Sequence, residues 1–210
     1  MDQKGQGPPD ETLWVARALR GDHRAFACLV DAYKAPVYNL CYRMLGNAPE
    51  AEDAAQETFV RVYNRPKTYN PQQKLSTWIL SVASHHCIDR LRRRRIKRLS
   101  LDQVWPLPHH SSDQVQPEDV VLGHETKAEI RSLLQSLPAK YRLVIVLRYW
   151  QDLSYAEMAW VLDTTESAIK SRLHRARRML AQAVIAQKQQ ATQSAEQIHD
   201  GKKVTSDAVL

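Results

Sequence analysis

Lys170, Ser171, His174, Arg175 and Arg178 fall within TTESAIKSRLHRARRML at spacings that put all five on one side of a helix. Ile169, Leu173, Ala176 and Leu180 recur at steps of four, three and four and make the opposite, packed side. Short polar groups beside long cations are the chemistry that reads base edges and holds phosphates. A second cationic run, DRLRRRRIKR from Asp89 to Arg98, holds seven Lys or Arg. Ile88 and Leu91 stay apolar beside it, and Asp89 can pair with Arg92 or Arg93 one turn on, so the run is built into an amphipathic helix.

His85, His86 and Cys87 precede that run and raise the question of a metal. Consecutive residues on a helix point about 100° apart, so the three cannot converge on one tetrahedral ion. Cys28 and Cys41, beside Leu29 and Leu40, are expected on apolar faces, where a free cysteine packs as a small hydrophobe. Neither a metal nor a cofactor is expected. The chain holds no GxxxxGK[ST], HExxH or GxSxG pattern. Acidic pairs such as Glu52-Asp53 sit where a helix N-terminus favours negative charge, and no enzymatic chemistry is expected.

The elements that position these groups are helices. Over 210 residues there are only 6 Gly, and 30 Lys plus Arg against 23 Asp plus Glu leave a formal charge of +7, which favours an anionic partner. The opening MDQKGQGPPDE is too polar for a secretory leader, three cysteines read as reduced thiols, and no apolar run is long enough to span a bilayer. A cytoplasmic protein without direct membrane insertion follows from these expectations. Residues 1–10 read as disordered. From Glu11 the apolar residues recur at helical steps: Leu13, Ala16 and Leu19, then Phe26, Leu29, Val30, Tyr33, Val37, Leu40, Cys41 and Met44. Gly46-Asn47 breaks the pattern, and PEAEDAAQETFVRVYNR forms the next helix, burying Ala51, Ala55, Phe59 and Val62 while Asp53, Gln56 and Glu57 face solvent.

After the turn residues Asn70 and Pro71, Trp78 opens a long helix through Ile79, Val82, Cys87, Ile88 and Leu91 into the arginines. Residues 99–123, with Pro106, Pro108 and Pro117, read as a flexible linker. Beyond it, Ser154 with Glu157 fits a capping box, Asp163 with Glu166 offers a second cap, and LDTT makes the tight break of a helix-turn-helix whose second helix is meant for a major groove. The tail from 188 to 210 lacks apolar periodicity and reads as frayed. The expected fold is all-α: two small helical domains joined by a flexible linker, the second a helix-turn-helix domain.

Three blocks in order resemble the extracytoplasmic-function group of the sigma-70 family of bacterial RNA polymerase sigma factors. AEDAAQETFVRVY resembles the polymerase-contacting helix, KLSTWILSVASHHCIDRLRRRR the promoter-melting and minus-10 segment, and LPAKYRLVIVLRYWQDLSYAEMAWVLDTTESAIKSRLHRARRML the minus-35 helix-turn-helix. The likeness runs from about Arg24 to Leu180. It implies a polymerase- and minus-10-binding domain over 11–98 and a minus-35-binding domain over 124–187. Asp53, Gln56 and Glu57 match the positions that dock on core RNA polymerase.

Tyr69, Asn70, Lys74 and Trp78, with His85, Arg90, Arg93 and Arg94, match the minus-10 region, where an unstacked base is held while cations hold the strand. Trp78 is expected to support that site from the core. Lys170, Ser171, His174, Arg175 and Arg178 match the groove-facing positions of the minus-35 helix. The resemblance further implies promoter DNA and an anti-sigma factor as partners. Two features depart from the family pattern: Ser84-His85 stand where an Arg-Asn pair is common, and Asp163-Thr164-Thr165 stand where the turn often carries Gly and Pro. The rival readings are a helix-turn-helix regulator that acts without replacing a sigma factor, and a mimic that sequesters a sigma factor's partners.

Overall fold

A computed structural model of the chain describes residues 11–18, 20–102 and 121–206. The expected disorder of 1–10, part of the expected linker and residues 207–210 lie outside them. Among the described residues every regular element is helical. The first half runs α1 (Glu11–Ala18), α2 (His23–Leu45), α3 (Ala48–Asn64), a 3-10 turn (Pro66–Thr68) and α4 (Leu75–Asp102). The second half runs α5 (Val121–Ser136), α6 (Ala139–Tyr149), α7 (Tyr155–Val161) and α8 (Glu166–Ser206).

Local chemistry sets these boundaries. The Asp22 carboxylate accepts from the amides of Arg24 at 2.9 Å and Ala25 at 3.1 Å and so caps α2. The Ala25 amide and the Arg17 guanidinium hold that carboxyl below its ordinary value. Gly46 ends α2 at φ +76°, where a side chain would be strained, and Asn47 starts α3 by accepting from Glu50 N at 3.0 Å. Asp163 takes φ +46° in the break between α7 and α8, the conformation a glycine would otherwise supply.

Several expectations differ from the structure. Leu13 is exposed; α1 packs on α2 through Trp14, Val15 and Ala18, a stripe shifted from the one its spacing suggests, because the facing helix decides which side is covered. Cys28 is exposed as well, on the side of α2 opposite Leu40 and Cys41, although Leu29 next to it is buried. The cap of α8 is Thr165, whose hydroxyl accepts from Ala168 N at 3.2 Å, and Asp163 serves the turn instead. α8 runs on helical to Ser206 through the segment read as frayed, since Ala, Gln, Glu and Lys favour helix without an apolar stripe.

The two halves share one core. Residues Arg142 to Leu147 of α6 are all buried, six in a row, which a helix packed on one side does not achieve. α7 and α8 cover one side of α6, and α2 and α4 cover the other. Gln135 approaches the end of α2 so closely that a Cβ on Gly46 would lie 2.6 Å from Gln135 Nε2. That residue therefore answers two needs, the left-handed backbone and the close approach.

Candidate nucleic-acid interface

The helix-turn-helix is held rigidly. Ser154 N donates to Glu157 Oε2 at 2.8 Å and Glu157 N donates to Ser154 Oγ at 3.2 Å, closing the capping box. Thr164 N donates to Ala159 O at 2.9 Å and locks the turn. On α8, Ile169, Leu173 and Ala176 are buried, whereas Lys170, Ser171, His174, Arg175 and Arg178 are all exposed on the far side. Lys170 Nζ lies 5.8 Å from the centre of the Tyr155 ring, at the start of α7. The Arg175 guanidinium beside the Tyr141 hydroxyl, with Lys140, keeps that phenol below its ordinary value. The cationic face therefore begins on α8 and is braced by α6 and α7.

On α3, Ala51, Ala55, Phe59 and Val62 are buried with Ala54 and Thr58, Asp53 and Gln56 are exposed, and Glu57 is half-buried. Arg61 Nε donates to Glu57 at 2.8 Å, and this bond draws the Glu57 carboxyl below its ordinary value. Asp53 lies 3.8 Å from Arg90, and Glu50 pairs with Arg94. Two of the arginines expected on DNA are thus tied to α3, while Arg93 points away and is exposed. These cross-helix pairs had no sequence signal, because i,i+4 spacing speaks only of one helix.

The turn ahead of α4 is stitched together by its own groups. Tyr69 OH donates to Gln73 O at 3.1 Å, Asn70 Oδ1 accepts from Gln72 N at 3.0 Å, and Trp78 Nε1 donates to Thr68 Oγ1 at 3.2 Å. Trp78 is 5 % exposed, with its ring 5.3 Å from that of Tyr69, so it props the loop from below and offers no face for a base. Lys74 is exposed, and its ammonium pairs with Glu157 of α7 at 2.9 Å. Burial alone would raise the Glu157 carboxyl, yet Lys74 and the Ser154 groups outweigh it and hold it below its ordinary value.

His85 is exposed and its Nδ1 donates to Ser81 O at 2.8 Å, which fixes the proton on that nitrogen. His86 is buried with no hydrogen-bond partner in the protein at either ring nitrogen, and burial, aided by Arg61 and Arg90, lowers its pKa. Cys87 and Cys41 meet in the core; their contact, then burial, pushes the Cys87 thiol well up. Among the described residues no three His, Cys, Asp or Glu side chains are grouped to hold a metal, and no helix is long and apolar enough to cross a membrane.

Two family models match the chain in order, Sigma-70 region 2 over residues 29–96 and Sigma-70, region 4 over residues 127–180. The ECF RNA polymerase sigma factor SigW of Bacillus subtilis is 38 % identical over 172 residues, covering 79 % of this chain and 92 % of that relative. This chain belongs to the ECF sigma factors. The RNA polymerase sigma-H factor of Pseudomonas aeruginosa is 30 % identical, covering 81 % of this sigma factor and 91 % of the relative. Among solved structures, CnrH in complex with the cytosolic domain of CnrY matches with a TM-score of 0.61 and 25 % identity, over 85 % of this sigma factor and 99 % of that chain. Sigma factors as a family are initiation factors and not enzymes.

Proposed function

We propose that this sigma factor divides its work between its two halves. The first, over 11–98, docks on core RNA polymerase through Asp53, Gln56 and Glu57 and holds the opened minus-10 strand with Tyr69, Asn70, Lys74, His85, Arg90, Arg93 and Arg94, Trp78 supporting them from the core. The second, over 124–187, reads the minus-35 duplex with Lys170, Ser171, His174, Arg175 and Arg178. The linker over 99–123 joins them, and the 188–210 tail has no assigned part. The protein acts in the cytoplasm, supplies no catalytic chemistry, and is restrained by an anti-sigma factor.

One observation carries the reading. Five polar and cationic side chains line the exposed face of α8, directly behind a capped turn, while Ile169, Leu173 and Ala176 are buried on the other side and Leu180 is half-buried. Phosphate contacts from α4 and α8 make DNA affinity fall steeply with salt. The test is run-off transcription with core polymerase. Promoter-specific transcripts that depend on the added protein support the proposal, and their absence with active core enzyme overturns it.

A further inference from the structure

The cations gathered along one side of α8 are held by tyrosines and not by carboxylates. Among the described residues no Asp or Glu pairs with Arg148, Lys170 or Arg177, whereas Arg90, Arg92 and Arg94 of α4 each have one. Arg177 Nε donates to the Tyr149 hydroxyl at 2.9 Å, and its guanidinium lies 5.8 Å from the centre of that ring. The Arg148 guanidinium and the Lys170 ammonium lie 5.6 Å and 5.8 Å from the centre of the Tyr155 ring. Arg148 is fixed further by donating to Leu153 O at 2.9 Å. Tyr149 and, less strongly, Tyr155 raise the Arg177 pKa above its ordinary value, so both rings belong to one cluster. A phenol orients a cation without neutralising it, which leaves the positive charges to be answered from outside the protein.

Helical phase gives the cluster its place. At about 100° per residue, Ser171, His174 and Arg178 run down the middle of the exposed face of α8. Lys170 and Arg177, seven apart, share one border of that face. Arg175 lies about 140° round from Lys170, on the other border, beside the Tyr141 hydroxyl. A helix with its side chains is about 10–12 Å across and a major groove about 12 Å wide, so the middle of the face meets base edges and each border meets a sugar-phosphate wall. The Arg177 fork suits such a wall. With Nε spent on Tyr149, its terminal amino groups remain for two oxygens of one phosphodiester.

We propose that Arg148, Lys170 and Arg177 form a clamp for a backbone phosphate of duplex DNA, with Tyr149 and Tyr155 as positioning residues. Base sequence is then read by Ser171, His174 and Arg178, while Lys170 and Arg175 hold the strands on either side of them. The inference deepens the minus-35 reading and rests on it. It also gives Tyr149 a task on the surface, where it is 55 % exposed: the ring and hydroxyl present a guanidinium to the groove wall.

Phosphate contacts and base contacts differ in what they do to salt dependence and to discrimination, so the two can be told apart. Holoenzyme reconstituted with each variant is titrated across salt onto a promoter fragment taken upstream of a transcript start made with this protein, and onto the same fragment with its minus-35 element scrambled. Arg177→Ala weakens binding to both duplexes roughly 3- to 10-fold, lowers the slope of log affinity against log salt by about 1, and leaves the ratio between the duplexes unchanged. Arg177→Lys restores the slope but only part of the affinity, since a point charge cannot bond Tyr149 and fork onto a phosphate together. Tyr149→Phe keeps the slope and loses roughly threefold in affinity for both duplexes. His174→Ala does the reverse, cutting the ratio roughly tenfold at the parental slope. A loss of folded protein lowers the active fraction and moves neither slope nor ratio, so those two readouts decide. A parent that binds both duplexes alike overturns the minus-35 reading itself. Arg177→Ala at the parental slope, or with its ratio cut as His174→Ala cuts it, overturns the clamp while that reading stands.

Discussion

Arg142 is a cation that the fold keeps indoors. Burial lowers its pKa to about 10, so it stays charged at neutral pH, and the charge is answered by Gln135, Leu137 and Met44 oxygens and no carboxylate. Arg142→Met removes the donors and strands those acceptors; urea unfolding should show a loss of about 3 kcal/mol. Arg142→Lys should recover less than half of it, because one ammonium cannot serve the same fork of acceptors. His86 is the opposite case, a neutral ring without partners. Its folded-state pKa lies below the ordinary histidine value, so between the two the unfolded chain binds a proton that the folded chain refuses. Stability is therefore full above about pH 7 and falls as the pH drops through the ordinary histidine range. His86→Leu should flatten that slope and add about 1 kcal/mol near neutrality, measured by thermal melts across pH; an unchanged slope assigns the acid sensitivity elsewhere.

Elements explain which parts were legible in the sequence. The helix-turn-helix could be read from Ser154, Glu157 and the four-three-four steps of Ile169, Leu173, Ala176 and Leu180, because capping and periodicity are local rules. The face of α3 was legible for the same reason. Thr165 in place of Asp163, the exposure of Leu13 and Cys28, and the pairs Asp53–Arg90, Glu50–Arg94 and Lys74–Glu157 were not, since each depends on which neighbouring helix lies across from it. Even the continuous burial of α6 was only half visible: YRLVIVLRY reads as apolar, but nothing local says that two layers cover it. Ser154→Ala should cost about 1 kcal/mol by opening the capping box, seen as a lower melting temperature. Arg175→Ala should weaken minus-35 duplex binding roughly tenfold and lower the salt slope by about 1; a full loss of affinity with unchanged slope would instead mark a folding defect.

At the scale of the whole molecule, the proposed assignment puts recruitment to polymerase and reading of DNA on different surfaces of one chain. Asp53 and Gln56 project from α3, and Lys170, Ser171, His174, Arg175 and Arg178 project from α8, with α2 and α6 between them. Reversing charge at Asp53→Lys should therefore abolish polymerase binding while leaving duplex binding by α8 intact, a separation that gel-shift and pull-down measurements resolve. The central claim, that this sigma factor selects promoters for core polymerase, is tested most directly by mapping transcript 5′ ends made by core enzyme with the purified protein on total genomic DNA. The account predicts discrete start sites that share one minus-35 and one minus-10 motif, and that disappear with Arg175→Ala or Asp53→Lys. Start sites scattered without a shared motif, or unchanged when the protein is left out, would contradict it.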